Sequence, residues 1–267
     1  MTFMELNGRL ALVIGAGSGV GRGVAQALSH AGMQVTAADI DGDSVQKTCE
    51  GLPGARAFQV DATEQNSLQN LASAAFPAGH LDLLVVTVGV IDQLPIAEIS
   101  EAQWQWAWNL NVMTSVRAVQ VFLPLLRRGK PSAIVLTGSG AGLPLLERDP
   151  DSALYIATKH AQMGYGSVLR DALAPEGIRV VMLLPSGVEG NLAVTSAKSR
   201  AVHMGMNPTE VRGQQPAGRK LISPVEMGKL LVRGLQADAS YVNNRGADFH
   251  EAMTEWLEKW KKDTVEA

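Results

Sequence analysis

A phenol and an ammonium group lie four positions apart in this chain, at Tyr155 and Lys159. They stand at the start of a segment with helical character, and residues four apart share one face of a helix. A phenol with its ordinary pKa of about 10 is a poor base at neutral pH, and an adjacent ammonium lowers that pKa by favouring the phenolate. The pair could therefore exchange a proton with an oxygen of a bound molecule. Taken alone, the spacing is equally typical of an ordinary surface pair.

A glycine-rich turn near the start of the chain has the composition of a phosphate-binding loop. It reads Gly-Ala-Gly-Ser-Gly-Val-Gly over residues 15–21, between an apolar run and a segment of helix-forming composition. Glycines let the backbone bend tightly and approach a pyrophosphate closely, and a helix N-terminus offers free N–H groups to it. The strict GxGxxG spacing is absent, and Gly15, Gly19 and Gly21 instead match GxxxGxG. With its flanking strand and helix, the turn predicts phosphate binding.

Two aspartates follow the next two predicted strands. Asp39 lies about twenty residues beyond the turn, where a carboxylate can accept hydrogen bonds from the adenosine ribose hydroxyls. It would repel a 2′-phosphate, so it favours NAD over NADP. Alternatively, Asp39 is an ordinary turn residue at a strand end. Asp61 ends the following strand, and its alternative role is to cap a helix that begins at Glu64.

Short apolar runs alternate with longer segments of helical periodicity, which is typical of parallel strands joined by crossover helices. The chain is therefore expected to be one doubly wound α/β domain with a mostly parallel sheet. A helix is expected over Pro224–Leu235, a mobile insertion over the site at about 190–218, and a packed terminal helix at about 247–262. The strands are expected at Leu10–Ile14, Val35–Ala38, Ala55–Asp61, Leu81–Thr87, Ala133–Leu136, Ile178–Leu184 and Ser240–Asn243.

The bulk composition narrows the classes of partner. The chain has 267 residues and a formal net charge of −3, with no long basic run to meet a nucleic acid or an anionic membrane. Cys49 is the only cysteine, which excludes an internal disulfide and fits a reducing compartment. The longest uncharged apolar stretch, Leu83–Ile91, is too short to span a bilayer. We expect a cytoplasmic protein that binds small molecules, without a metal site.

These motifs occur in the order that marks the short-chain dehydrogenase/reductase family, which the chain resembles from Gly8 to about Tyr241. Besides the glycine turn, the two aspartates and the Tyr-Lys pair, the resemblance includes Thr-Gly-Ser at 137–139. It also includes Asn-Leu-Asn-Val at 109–112 and Gly-Ile-Arg-Val at 177–180, which leads to Pro185. No single motif is decisive, and their joint order carries the resemblance. It implies a single NAD(P)-binding Rossmann domain over residues 1–267.

The resemblance assigns roles by position. Tyr155 would be the acid/base, and Lys159 would lower the phenol's pKa and hold the nicotinamide ribose. Ser139 would hydrogen-bond the reacting oxygen, and Asn111 would position a water that leads from Lys159 toward solvent. The implied cofactor-binding residues are Gly15, Gly17, Ser18, Gly19, Val20, Gly21, Asp39, Ile40, Asp61, Ala62, Val88, Gly89, Tyr155, Lys159, Pro185 and Val188.

Four features of the sequence depart from the family pattern. Ile14 replaces the usual threonine before the first glycine, and Val-Thr-Val-Gly at 86–89 replaces Asn-Asn-Ala-Gly, so a polar link in the central sheet is altered. Pro-Ser-Gly-Val-Glu-Gly at 185–190 lacks the threonine that contacts the nicotinamide carboxamide. About three extra residues at Leu145–Asp151 are expected to shape the substrate pocket.

The resulting hypothesis is an NAD-dependent oxidoreductase that moves a hydride between nicotinamide and a secondary alcohol or ketone. The apolar residues near Leu143–Leu146 and Met204–Met206 favour a medium-sized, partly apolar substrate. The alternatives are an NADPH-dependent biosynthetic ketoreductase and a catalytically idle nucleotide-binding sensor. Trp104 and Trp108 would share one helical face, which is typical of either a core or a subunit interface. Because the family commonly assembles through this neighbouring helix pair, the resemblance implies a subunit contact in a homodimer or homotetramer.

Overall fold

A seven-stranded sheet forms the centre of the protein, as seen in a computed structural model that describes residues 4–143, 149–208 and 221–263. The strands are β1 (Leu10–Ile14), β2 (Gln34–Asp39), β3 (Arg56–Gln59), β4 (Leu83–Val86), β5 (Ser132–Thr137), β6 (Ile178–Leu184) and β7 (Tyr241–Asn243). Every neighbouring pair runs parallel, in the order β3-β2-β1-β4-β5-β6-β7. The predicted doubly wound fold is confirmed, and the strand order reverses between β1 and β4.

Helices cover both faces of this sheet. They are α1 (Gly19–His30), α2 (Gly42–Cys49), α3 (Gln65–Ala75), α4 (Glu101–Trp108), α5 (Thr114–Arg128), α6 (Ala153–Leu173), α7 (Leu192–His203), α8 (Pro224–Gln236) and α9 (Ala247–Asp263). A π-helical turn at Asn109–Met113 joins α4 to α5. One core layer packs residues of α3, α5 and α6 against the sheet, and the other packs residues of α1, α2 and α8. Because both faces are covered, the inner strands read as continuous apolar runs.

The helices α1 and α8 pack backbone against backbone. A Cβ atom added at Gly23 would lie 2.0 Å from the carbonyl oxygen of Pro224, and one at Gly228 would lie 2.3 Å from that of Gly23. Proline at the first position of α8 and a capping box between Ser223 and Glu226 fix the start of that helix. The small residues therefore set how closely α8 supports the helix that follows the glycine turn.

Several elements differ from the sequence-based expectations. β3 is shorter than Ala55–Asp61, since its pairing with β2 runs only from Arg56 to Gln59. The first part of the 190–218 segment forms α7, and residues 209–220 lie outside the described chain, as does most of the predicted loop Leu145–Asp151. Of the three tryptophans of α4, only Trp108 is exposed, while Trp104 is partly buried.

Candidate active site

The glycine turn joins β1 to α1 at the point where the strand order reverses, the usual place for a ligand in an open α/β sheet. Gly15 and Gly19 have φ angles of +87° and +48°, a region that favours glycine. A Cβ at Gly21 would lie 2.0 Å from the Gly15 carbonyl oxygen. Ser18 is exposed and Val20 partly buried at the start of α1. The turn thus forms a tight backbone cradle that has no room for a side chain at Gly21.

Asp39 anchors the cradle as well as ending β2. One carboxylate oxygen accepts a hydrogen bond of 2.7 Å from the backbone N–H of Gly17, and the other accepts one of 3.0 Å from Asp41. A Cβ at Gly17 would lie 2.7 Å from the carboxylate carbon, so glycine is needed for this approach. Ile40, which follows, is 63% exposed. The carboxylate therefore stands at the edge of the cradle with lone pairs to spare.

Asp61 makes a local turn and does not cap α3. Its carboxylate accepts hydrogen bonds from the backbone N–H and the hydroxyl of Thr63, at 2.9 and 2.6 Å. The residue that precedes α3 is Glu64, so the alternative of Asp61 as the cap of that helix is wrong. Ala62 is buried beside it.

Thr87 supplies a polar link between the central strands. Its hydroxyl donates to the carbonyl oxygens of Ile14 and Gly15, at 2.8 and 3.1 Å. Although Val-Thr-Val-Gly stands here instead of Asn-Asn-Ala-Gly, the Thr87 side chain still connects the end of β4 to the glycine turn. Val88 is partly buried, and a Cβ at Gly89 would lie 3.4 Å from the Lys159 ammonium nitrogen. The backbone at Gly89 therefore passes close to the Lys159 side chain.

Asn111 lies in the π-helical turn between α4 and α5 and is fully buried. Its amide oxygen accepts from the backbone N–H of Val90 at 2.7 Å. Its amide nitrogen donates to the Val90 carbonyl and to the hydroxyl of Thr158, at 3.0 and 2.8 Å. The side chain thus ties the segment after β4 to α6, the helix that carries the Tyr-Lys pair. Single π-helical turns of this kind are frequent at functional sites.

Ser139, Tyr155 and Lys159 meet at the carboxyl edge of the sheet. Ser139 follows β5, and its hydroxyl accepts from the backbone N–H of Ala141 at 3.1 Å. The ammonium nitrogen of Lys159 lies 5.6 Å from the centre of the Tyr155 ring. It donates to the carbonyl oxygen of Thr137 at 3.1 Å and to the side-chain oxygen of Gln162 at 2.7 Å. The structure therefore brings the three predicted residues together.

The expectation that the pKa of Tyr155 is lowered is wrong when only the protein's own groups surround it. Burial raises the pKa of Tyr155, and a side-chain hydrogen bond with Ser139 only partly opposes it. Burial also lowers the pKa of Lys159 to about 7. An ammonium that is itself desolvated is only partly charged near neutral pH, so it gives the phenolate less support than the spacing indicates.

The segment after β6 is held from two sides. Asn244 donates to the Ser186 carbonyl at 2.7 Å and accepts from the Ser186 N–H at 2.8 Å. Val188 pairs with Ile222 as an isolated parallel bridge. A Cβ at Gly190 would lie 3.4 Å from the Cα of Gly19, so this segment faces the cradle across the crevice. Pro185, partly buried at its start, accepts a long hydrogen bond of 3.5 Å from the Gly140 N–H.

The helix α7 is docked by three polar side chains. Ser196 accepts from the backbone N–H of Ile91 at 2.9 Å, and Ser199 accepts from the Trp106 indole N–H at 3.1 Å. Arg200 forms an ion pair with Asp92. None of these side chains was predicted from the sequence as a site residue, and neither was Thr87 or Gln162. The 3–4 spacing of the three side chains was the available signal, because it places them on one helical face.

A nicotinamide dinucleotide fits this set of residues. The turn can fold this tightly only because Gly15, Gly17 and Gly21 carry no Cβ, and the carboxylate of Asp39 stands at its edge. Within the described ranges, no cluster of three His, Cys, Asp or Glu side chains could hold a metal ion. No helix in those ranges is long and apolar enough to cross a membrane.

A parallel sheet with a glycine cradle at its switch point and a Ser-Tyr-Lys cluster at the same edge defines a nucleotide-dependent α/β oxidoreductase. The model of the family described as short chain dehydrogenase matches residues 9–201. The chain belongs to the short-chain dehydrogenase/reductase family, whose members are oxidoreductases of alcohol and ketone groups.

Similar proteins span a range of substrates. The chain is 32% identical over 195 residues to a 1-deoxy-11-beta-hydroxypentalenate dehydrogenase of Streptomyces exfoliatus, covering 70% of each chain. It is 28% identical to a galactitol 2-dehydrogenase of Agrobacterium fabrum, covering 90% of this chain and 94% of that one. A family member from Burkholderia phymatum, solved in complex with NAD, superposes with a TM-score of 0.81 at 24% identity over 99% of both chains.

Proposed function

We propose that the protein is an NAD(H)-dependent dehydrogenase that interconverts a secondary alcohol and a ketone on a medium-sized, partly apolar substrate. The observation that carries the proposal is the meeting of Ser139, Tyr155 and Lys159 beside Gly89, at the sheet edge that also holds the cradle. Bound NAD would supply the hydride acceptor, and NADH the donor.

Each side chain of the cluster has a distinct task. Ser139 would donate a hydrogen bond to the substrate oxygen, on which negative charge develops during the reaction. Tyr155 would take the proton from an alcohol or return one to a ketone. Lys159 would hold the nicotinamide ribose and support the phenolate. Asn111, whose amide is tied to Val90 and Thr158, would fix the helix that carries Tyr155 and Lys159.

The preference for NAD rests on Asp39. A carboxylate at the edge of the cradle can accept from the ribose hydroxyls and repels a 2′-phosphate. The relative from Burkholderia, which was solved with NAD, supports the same preference.

The apolar substrate rests on the residues that flank α7. Leu192 at its start and Met204 and Met206 at its end are all exposed, although apolar side chains of this size are usually covered. The galactitol of the Agrobacterium relative, a polyol, does not fit this interpretation, whereas the 1-deoxy-11-beta-hydroxypentalenate of the Streptomyces relative, with a single hydroxyl in its name, is compatible with it.

The chemical assignment is tested by turnover of a panel of secondary alcohols and ketones with each nicotinamide cofactor. Tyr155→Phe should reduce kcat at least about a hundredfold, because it removes the acid/base. The matched control is Tyr165→Phe, which deletes a phenol hydroxyl from the same helix at a partly buried position. Wild-type turnover in Tyr155→Phe would overturn the mechanism. Cofactor binding without turnover of any member would favour the idle sensor.

The cofactor assignment is tested by fluorescence titration with NADH and NADPH. NADH should bind at least about tenfold more tightly, a difference of about 1.4 kcal/mol. Asp39→Asn should narrow this difference, because it removes the charge but keeps an oxygen to accept from Gly17. Asp41→Asn is the matched control, since Asp41 is a nearby exposed aspartate that caps α2. Tighter binding of NADPH to the wild type would favour the biosynthetic ketoreductase.

A further inference from the structure

Gln162 is a buried polar residue in direct contact with Lys159. Its side-chain oxygen lies 2.7 Å from the ammonium nitrogen, and its amide nitrogen donates to the Ser115 hydroxyl at 3.3 Å. Gln162 is 1% exposed and Ser115 is fully buried. A buried amide lowers stability unless its groups are hydrogen-bonded, and here both are engaged.

The orientation of this amide follows from its partners. The Lys159 ammonium can only donate, so it must face the oxygen of Gln162 and not the nitrogen. The amide nitrogen then points to Ser115 on α5, which holds the side chain from the opposite end. Since Gln162 lies three residues after Lys159 on α6, the two side chains also share a helical face.

Charged groups do not compete for this ammonium among the residues that the structure describes. The groups in contact with it are the Tyr155 ring on α6, the Thr137 carbonyl on β5 and the side-chain oxygen of Gln162. The Asn111 amide in the π-helical turn and the ammonium both lie next to Gly89. Of these, only Tyr155 titrates. Two neutral oxygens, those of Thr137 and Gln162, therefore stabilise the positive charge.

We propose that Gln162 is a positioning residue, whose side-chain oxygen holds the ammonium of Lys159 in place beside the Tyr155 ring. The inference deepens the proposed function and rests on it for the role of Lys159 in the reaction. A hydrogen bond to the charged form favours that form, so Gln162 opposes the effect of burial. It keeps more of Lys159 protonated at neutral pH, and the phenolate gains the support that burial would otherwise remove.

The first test follows Lys159 itself, without any turnover. Protein labelled with 13C at the lysine Cε is titrated by NMR, and Lys159→Met assigns the signal. Gln162→Met, which keeps the length but removes the acceptor, should lower the pKa of Lys159 by about one unit or more. Gln162→Glu should raise it. Ser115→Ala leaves the acceptor but loses its anchor, so it should produce a smaller fall. An unchanged Lys159 titration in Gln162→Met would overturn the proposal.

The second test is the pH profile of kcat/KM for alcohol oxidation. In Gln162→Met the acidic limb should move to higher pH by about one unit, because the phenolate loses support from a charged neighbour. A purely structural role would lower Tm without moving this limb, and an unmoved limb would overturn the proposal. If the wild type turns over no alcohol or ketone, the proposed function fails, while the NMR titration still decides the role of Gln162.

Discussion

Single side chains at this site each satisfy a structural and a chemical demand at once. The Asp39 carboxylate accepts from the N–H of Gly17 and is also the group that would meet the ribose. The Thr87 hydroxyl connects β4 to the glycine turn, at a position where the sequence indicated only that a polar link of the family is altered. Because every such group has backbone partners, removing it changes the shape of the cradle as well as its chemistry.

Lys159 should make stability depend on pH. Burial lowers its pKa to about 7 from an ordinary value of 10.5. Between these values the unfolded chain holds a proton that the folded chain releases, so stability rises with pH. The slope is at most about 1.4 kcal/mol per pH unit. In Lys159→Met this rise should disappear, as measured by urea unfolding at pH 7, 8 and 9.

The exposed Lys229 on α8 provides the control for this measurement. Lys229→Met should keep the wild-type rise between pH 7 and pH 9. An equal rise in the wild type and in Lys159→Met would show that the buried ammonium does not cause it.

At the scale of elements, the sequence predicts the positions of the inner strands but not the packing of α7. The inner strands were predicted because a sheet covered on both faces needs continuous apolar runs, and β1 and β6 have their predicted bounds. The docking of α7 was not predictable, since Ser196, Ser199 and Arg200 meet partners 105, 93 and 108 positions away in the chain. Contacts of that range depend on the finished fold, and local spacing indicates only that the three share a face.

The ion pair that holds α7 should affect substrate binding more than chemistry. The side chain of Asp92 is 9% exposed, and Gln103 also donates to it, at 3.3 Å. Arg200→Ala leaves this carboxylate buried without its cation, at a cost of about 1–3 kcal/mol. We expect KM to rise about tenfold with a smaller change in kcat. Lys198→Ala, an exposed cation on the same helix, should leave both constants unchanged.

An equal fall in kcat with an unchanged KM would contradict this role of α7. It would indicate that the ion pair acts on the reaction step, through the segment after β4, rather than on the substrate.

At the scale of the whole molecule, the cradle depends on helices that never touch the reacting atoms. The helix α1 begins at the glycine turn and is backed along its length by α8. The two approach closely because Gly23 and Gly228 lack side chains. The fold class was predictable from strand and helix patterns, but this close approach was not, since a glycine inside a helix reads only as a weak helix former.

Two glycine-to-alanine substitutions should therefore have opposite effects on stability. Gly23→Ala places a Cβ 2.0 Å from a backbone oxygen, so α1 and α8 must separate, at a cost of about 3 kcal/mol or more. Gly164 lies exposed within α6 with no atom within 4 Å of an added Cβ. Gly164→Ala should therefore stabilise by about 0.5–1 kcal/mol, because alanine loses less entropy in a helix. Urea unfolding measures both changes, and NADH titration should show weaker binding only for Gly23→Ala, because only that change displaces the helix carrying the cradle. Equal stabilities for the two variants would mean that α1 and α8 can separate without a loss of stability.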